Sequence, residues 1–339
     1  MILLRKILFP FAILYGGITQ LRNFLFDRGV LKSHAFDLPV IAVGNLSVGG
    51  TGKTPQIEYL IRLLSDKYKV ATLSRGYKRQ SEGFVLAGED STAAILGDEP
   101  FQFHHKFPNI EVAVDADRRN GIENLLFQNE KPQVILLDDA FQHRKVKAGF
   151  YILLTAYGDL FIDDFMLPTG NLRESRSGAK RADVIIVTKC PNAISAAEQQ
   201  QITNKIGARQ PVFFTSIAYD DSVYSERKSV KVSEIKASEK LLLAGIAKPK
   251  SFFAYLQGEN DVVLTFSDHH HFTANDIKAI KKQAQDKLII TTEKDYVRLK
   301  GQLPDEQLYY LPIKTAFLSE GEKFDKTILN YVGKSTTDR

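Results

Sequence analysis

Residues 40–55 read VIAVGNLSVGGTGKTP, an apolar and β-branched run that opens into glycines and closes on Gly52-Lys53-Thr54. A strand that delivers the chain to a glycine-rich turn, with a helix-like segment at 54–65 behind it, has the parts of a P-loop. Glycine lets successive backbone N–H groups converge on phosphate oxygens, and the helix N-terminus adds a favourable dipole. The candidate cradle is Ser47, Val48, Gly49, Gly50, Thr51, Gly52, Lys53 and Thr54. Lys53 would reach the β- and γ-phosphates, and the Thr54 hydroxyl would ligate Mg2+. One position departs from G-x-x-x-x-G-K-[ST]: Ser47 stands first, and Gly49 and Gly50 supply the tight turn.

Outward from this stretch, apolar runs at 70–73, 110–114, 134–137, 151–154 and 184–187 alternate with helix-like segments, clearest at 54–65 and 118–127. Such alternation predicts an α/β fold: a P-loop NTPase-type, mostly parallel sheet with helices on both faces. The run 212–217 ends that domain, and the charged stretch 218–240 reads as a connection or an exposed ribbon. A second alternating unit follows, with strands at 241–246, 262–266 and 288–291 and helices near 252–256 and 274–285. The expected division is an apolar and basic N-terminal segment (1–30), a P-loop domain (31–220) and a smaller α/β C-terminal domain (221–339).

Composition narrows the class without choosing a function. With 44% hydrophobic and 25% charged residues over 339 positions, the chain is globular and long enough for two domains. The formal net charge of +5 suits a nucleotide, a phosphorylated substrate or a membrane surface, and selects none of them. A single cysteine, Cys190, excludes an internal disulfide framework and fits a reducing compartment. The N-terminus carries Arg5 and Lys6, then an apolar run from 7 to 18, then Arg22 and Arg28 among phenylalanines. That run is too short to span a bilayer and lacks a cleavage site. It reads either as a helix in the membrane interface or as a terminal helix packed on the protein's own core.

Other stretches carry chemistry. Asp138 and Asp139 end the run 134–137, and adjacent carboxylates at the end of a buried strand call for a cation. Asp98 and Glu99 lie on a turn before a helix, where a cap or a base is possible. Asp268 and His269 follow a strand of the second domain, in a loop whose three adjacent histidines do not suit a zinc site. Basic clusters at 75–79 (with Arg75), Arg118–Arg119 and 173–176 all follow sheet strands, on the edge where ligands bind. Thr188-Lys189-Cys190 lies where some P-loop proteins read the nucleotide base.

Taken in order, GNLSVGGTGKTP (44–55), SRGYKR (74–79), GDEP (97–100), DADR (115–118), DDAFQH (138–143), LPTGNLRE (167–174), DHHHF (268–272) and TTEKD (291–295) resemble the tetraacyldisaccharide 4'-kinase family, from the N-terminal segment to about residue 300. The resemblance implies transfer of the ATP γ-phosphate to the 4'-hydroxyl of a tetraacylated glucosamine disaccharide 1-phosphate, in lipid A synthesis. It implies that 47–54 cradle ATP and that Asp138, Asp139 and Glu174 surround Mg2+ with Thr54. It further implies Asp98 as catalytic base with His269 as its partner, and Arg75, Tyr77, Arg118, Arg119, Gln142, His143 and Arg173 on the substrate side. A C-terminal domain that closes over the active site would bring His269 in. Two positions depart from the family pattern: Ala140 replaces a common glycine, and Lys78 stands where SRGYGR is usual. The implied partners are the lipid disaccharide and the cytoplasmic face of the inner membrane, met by a peripheral monomer with no transmembrane span and no nucleic acid. Without the resemblance, the same P-loop and Asp138 also fit a membrane-docking nucleotide-switch ATPase or another small-molecule kinase.

Overall fold

The structure, a computed structural model, describes residues 5, 7–247, 249–268 and 270–337; His269 lies outside the described residues. The chain packs as two units, divided after Ile217 and again before Thr315.

The first unit opens with helix α1 (Phe9–Asp27), followed by β1 (Val40–Asn45) and α2 (Lys53–Leu64). Next come β2 (Val70–Ser74), β3 (Val85–Leu86), α3 (Ala93–Leu96), α4 (Asp98–Lys106) and β4 (Glu111–Val114). Then follow α5 (Arg118–Leu126), β5 (Val134–Asp138), β6 (Phe150–Ala156), β7 (Val184–Thr188), α6 (Ala196–Ile206) and β8 (Val212–Tyr219). Each run read as a strand from sequence is one. Strand pairs β1–β5, β1–β6, β2–β5, β2–β4, β6–β7 and β7–β8 are parallel, with β3 antiparallel on β4. Strand β1 sits between β6 and β5, so the glycine turn and the Asp138–Asp139 pair leave neighbouring strands at the same edge. Along β1, Ile41 and Val43 face one core and Val40 and Ala42 the other, as the period of two requires for a sheet covered on both faces.

Helices α2 and α4 share the first of those cores. They are also joined through Glu58, whose buried carboxylate accepts from Gln102 (2.8 Å), Lys106 (2.7 Å) and Arg62 (2.8 Å). A buried carboxylate persists only with partners of this kind. The pairing fixes the helix that begins at Lys53 against the helix that begins at Asp98.

The second unit contains β9 (Ser222–Tyr224), β10 (Ser229–Lys231), α7 (Val232–Ala237), β11 (Lys240–Ala244), α8 (Lys250–Leu256) and β12 (Val262–Thr265). It continues through α9 (Ala274–Ala284), β13 (Leu288–Thr292), α10 (Glu293–Leu299) and β14 (Leu308–Leu311). Its strands run in the order β10-β9-β14-β13-β11-β12, with the last four parallel. The stretch 218–240 is therefore more than a connection: β9 and β10 form an antiparallel pair, and Val223 is fully buried. Lys240 is fully buried too, and its ammonium pairs with Asp261 at 2.7 Å.

The TTEKD run has a structural role here. Thr292 caps α10 and donates to Asp295 Oδ2 at 2.7 Å, and the same oxygen accepts the Gly245 N–H at 2.8 Å. Asp295, wholly buried, thus ties the end of β11 to the start of α10.

The chain then returns through β15 (Ile313–Phe317) and α11 (Gly321–Thr337). The tail from Thr315 onward, assigned from sequence to the second domain, packs in the first unit. Phe324, Ile328 and Val332 recur every four residues, which makes one helical stripe, and all three insert into the core lined by β1 and α2.

Candidate active site

The glycine turn rises from β1 and rests on the loop 167–174. Ser47 pairs with Leu172 in an isolated bridge, and the Val48 N–H donates to the Asn171 carbonyl at 2.8 Å. Gly52 caps α2 with φ of 86°, a region where a side chain is strained. From the first turn of α2, the Lys53 ammonium reaches Asn45 Oδ1 at 3.5 Å and Asp139 Oδ1 at 3.6 Å.

Asp139 is the hub of the next layer. Arg173 grips it with two hydrogen bonds, 2.7 and 3.1 Å, and also donates to the Asn45 carbonyl at 3.1 Å and to the Asn45 side chain. Two parallel N–H···O bonds of this kind fix orientation as well as charge. Beside it, Glu174 is 3% exposed and accepts from Arg181 (2.8 and 2.9 Å), Gln142 (2.9 Å) and Asn23 (2.8 Å). Gln142 also donates to the Asn45 carbonyl at 2.8 Å. The resemblance placed Glu174 at the metal; in the structure its oxygens hold these three side chains together.

Helix α1 joins this cluster with its polar side. The Tyr15 hydroxyl donates to the Arg173 carbonyl at 2.9 Å, and Arg22 donates to the Gln142 carbonyl at 3.0 Å. Ala12 and Gly16 are its buried positions, while Phe11, Ile13, Leu14, Ile18, Leu21 and Phe24 are exposed. Small and polar residues thus face inward and large apolar ones outward, so the helix packs on the protein, but not through its apolar run. Among the described residues no helix is long and apolar enough to cross a membrane.

The electrostatics separate the two carboxylates. Burial, then the neighbouring Asp139 charge, pushes Asp138 up to about 6. Burial also works on Asp139, but the Arg173 hydrogen bonds and the Lys53 charge outweigh it and hold its carboxyl below the usual range. One oxygen of Asp138 takes a 3.4 Å hydrogen bond from Ser74, and the other, Oδ1, is buried without a hydrogen-bond partner. An orphaned buried carboxylate oxygen beside the P-loop fits a cation. Among the described residues no group of three acidic, histidine or cysteine side chains could hold a metal alone. A metal whose remaining ligands are phosphate oxygens and water needs no such group.

The other expected residues divide. Asp98 is the first residue of α4, and Gly97 before it has φ of 92°. A Cβ on Gly97 would lie 3.2 Å from the Tyr77 carbonyl, so the GDEP and SRGYKR turns pack backbone to backbone. Glu99 contributes to the raised value of Asp138, which brings the GDEP turn to the same edge. Tyr77 and Arg75 are exposed there. Lys78 has φ of 59°, a conformation that the family's usual glycine adopts freely. Ala140 is accommodated: its N–H donates to the Val43 carbonyl at 3.3 Å, and Asp139 carries the left-handed φ of that turn. Arg118 is not exposed as expected for a substrate contact. It is 3% exposed, burial lowers it to about 10, and it donates to the carbonyls of Asp115 (3.0 Å) and Asp138 (3.2 Å). Arg119 pairs with Glu123 one turn along α5. Burial, then Arg118, lowers His143 to about 4, so it is neutral at physiological pH. Asn45, Arg181, Tyr15 and Asn23 were not singled out from sequence; Asn45 lay inside the quoted glycine stretch, whereas the others carry no local signal.

A strand, glycine turn and helix beside a buried carboxylate, at the carboxyl edge of a mostly parallel sheet, define a P-loop NTPase-type protein. The profile of the family described as "LpxK: Tetraacyldisaccharide-1-P 4'-kinase" matches residues 4–333. The tetraacyldisaccharide 4'-kinase of Flavobacterium psychrophilum is 68% identical, covering 99% of each chain. That of Phocaeicola vulgatus is 46% identical, covering 99% of this chain and 97% of its own. The crystal structure of LpxK from Aquifex aeolicus in complex with ATP is 31% identical, with a TM-score of 0.79 over 97% of this chain and 99% of that one. The chain belongs to the tetraacyldisaccharide-1-P 4'-kinase family.

Proposed function

We propose that the protein transfers the ATP γ-phosphate to the 4'-hydroxyl of tetraacyldisaccharide 1-phosphate in lipid A synthesis. The observation that carries this reading is the glycine turn on β1 beside β5, with Lys53 reaching across to an Asp139 clamped by Arg173. Residues 47–54 hold the phosphates, with Lys53 on the β- and γ-groups. Thr54 and Asp138 are the residues that would hold Mg2+, which when bound offsets phosphate charge in the transition state. Asp139 and Glu174 keep Arg173, Gln142 and Arg181 in place around that pair. Asp98 takes the proton from the 4'-hydroxyl as its oxygen bonds to the γ-phosphorus, and ADP leaves with the β–γ bridging electrons. His269 assists or orients Asp98, and Arg75 and Tyr77 face the acceptor.

The acceptor is a lipid, so the outward apolar side of α1 lies in the inner-membrane interface, on the cytoplasmic side where ATP is found. Arg22 and Arg28, each stacked on a phenylalanine, meet anionic headgroups.

The test is incubation with γ-labelled ATP and the lipid disaccharide. Labelled lipid is expected, and Asp98→Ala should lower turnover by roughly a hundredfold or more with little change in ATP affinity. Release of inorganic phosphate independent of lipid would instead restore the switch-ATPase reading. Equal loss of turnover and ATP affinity would remove Asp98 as the base.

A further inference from the structure

Thr188 and Lys189 lie at a position associated with base reading, but the structure puts both on the phosphate turn itself. Thr188 ends β7, and its buried hydroxyl donates to the Thr51 carbonyl at 2.8 Å. The Thr155 carbonyl lies further off, at 3.3 Å, and a hydroxyl has one proton to give. Lys189 follows with φ of 59°, strained for a lysine, and its ammonium donates to the Gly50 carbonyl. The two remaining carbonyls of the turn are engaged locally. Gly49 accepts from the Thr51 N–H at 3.1 Å, and Gly52 accepts from the Gln56 N–H at 3.2 Å. Every carbonyl from Gly49 to Gly52 therefore has a donor within the protein, and the end of β7 provides half of those donors.

The geometry of the peptide unit gives this consequence. In a trans peptide the C=O and the next N–H point in opposite directions. Pulling the Thr51 carbonyl toward β7 aims the Gly52 N–H away from β7. Fixing the Gly50 carbonyl holds the Thr51 N–H on Gly49, which closes the turn. The Thr188 side chain also underlies Gly52, with its Cβ 3.7 Å from where a glycine Cβ would stand.

We infer that Thr188 and Lys189 are positioning residues for the nucleotide phosphates: Thr188 aims the Gly52 N–H away from β7 and Lys189 keeps the turn closed, so that the cradle is set for the anion before it arrives. The inference rests on the ATP reading above and adds what determines how long the nucleotide stays. A preset anion site avoids reorganisation on binding, so its loss shows first as faster nucleotide release.

Three variants separate this role from plain scaffolding. Thr188→Val keeps the shape and removes the proton, Thr188→Ser keeps the proton, and Lys189→Met keeps most of the length without the charge. ATP affinity would be measured by titration calorimetry, release by stopped flow with a ribose-labelled fluorescent ATP, and both substrate KM values by steady-state assay. Thr188→Val and Lys189→Met should each weaken ATP and speed its release by roughly three- to tenfold, the effect of one lost hydrogen bond. They should raise the KM for ATP and leave that for the lipid disaccharide within about twofold. Thr188→Ser should restore the unaltered values. Lower melting temperatures with unchanged ATP affinity and release would overturn the inference while leaving the kinase reading intact. Failure of the unaltered protein to bind ATP would overturn both.

Discussion

Asp138, raised to about 6 in the folded protein against an ordinary value near 4, links stability to proton uptake. A carboxyl with a raised folded value stabilises the fold below about pH 4, and that contribution is lost as pH rises through about 6. At neutral pH the protein therefore carries a buried charge that costs about 2–3 kcal/mol. Asp138→Asn should remove this cost, so the metal-free variant should be as stable as the parent at pH 7, or more so, and lose its advantage toward pH 4. Turnover should fall at least a hundredfold, because the proposed Mg2+ ligand is gone. Thermal melts across pH 4–7 check this, and an equal shift in melting temperature at every pH would refute it. His143 has the opposite sign. Lowered to about 4 by burial and then Arg118, it stabilises above about pH 6.5 and loses that contribution as pH falls through about 4. His143→Gln should flatten the acid side of the profile by about 1–2 kcal/mol, reduced for partial exposure. Unchanged acid sensitivity in urea melts would contradict it. At this scale the glycine turn with Lys53 and the aspartate pair beside it were legible, since a local pattern places them on neighbouring strands. Asn45 and Arg173 meet across 128 residues and Gln142 and Glu174 across 32, distances at which periodicity carries no information.

Elements were legible where burial imposes a period. The strands of the first unit are apolar on both faces, and a continuous apolar run between turns shows this directly. For helix α1 the same logic left two readings, a helix in the membrane interface and one packed on the protein's own core, and the structure turns its large apolar residues outward. Sequence shows that a face is apolar but not what covers it. Short β3 and β14 fell outside the reading because each depends on a neighbour for its pairing. The turns that bring Asp98 to the sheet edge were visible only as glycines. Gly97 is doubly constrained, by its φ of 92° and by a backbone neighbour that cannot give way. Gly97→Ala should cost about 1–3 kcal/mol from backbone strain alone. Because α4 is pinned to α2 through Glu58, the strain should be relieved at the turn, displacing Asp98. Turnover should therefore fall more than tenfold while the KM for ATP changes little. A drop in ATP affinity of the same size would place the damage in the P-loop instead.

At the scale of the whole molecule, chain order and packing order differ. The last helix belongs to the first unit, and it holds the strand from which the P-loop rises. The Tyr331 hydroxyl bonds both backbone groups of Val40, at 3.2 and 3.3 Å, across 291 residues of sequence. Phe324, fully buried, packs against Phe213, Phe317 and Tyr59, and the Tyr59 hydroxyl donates to Asp325 at 2.7 Å. The sequence boundary was placed near 220 because polarity changes there, and the structure divides the chain after Ile217. It missed the return because an amphipathic helix does not state which core it fills. Phe324→Ala should cost about 3–5 kcal/mol from lost burial and the cavity left behind. Tyr331→Phe should cost about 1 kcal/mol, the scale of hydrogen-bonding lost without loss of volume. Deleting 321–339 combines these losses and also exposes the core beneath α2. ATP stabilises only a folded site, so in a thermal-shift series the full chain should melt higher as ATP is raised and the truncated chain should not. A truncated chain that kept its ATP-dependent shift would mean that the P-loop strand folds without its C-terminal clasp.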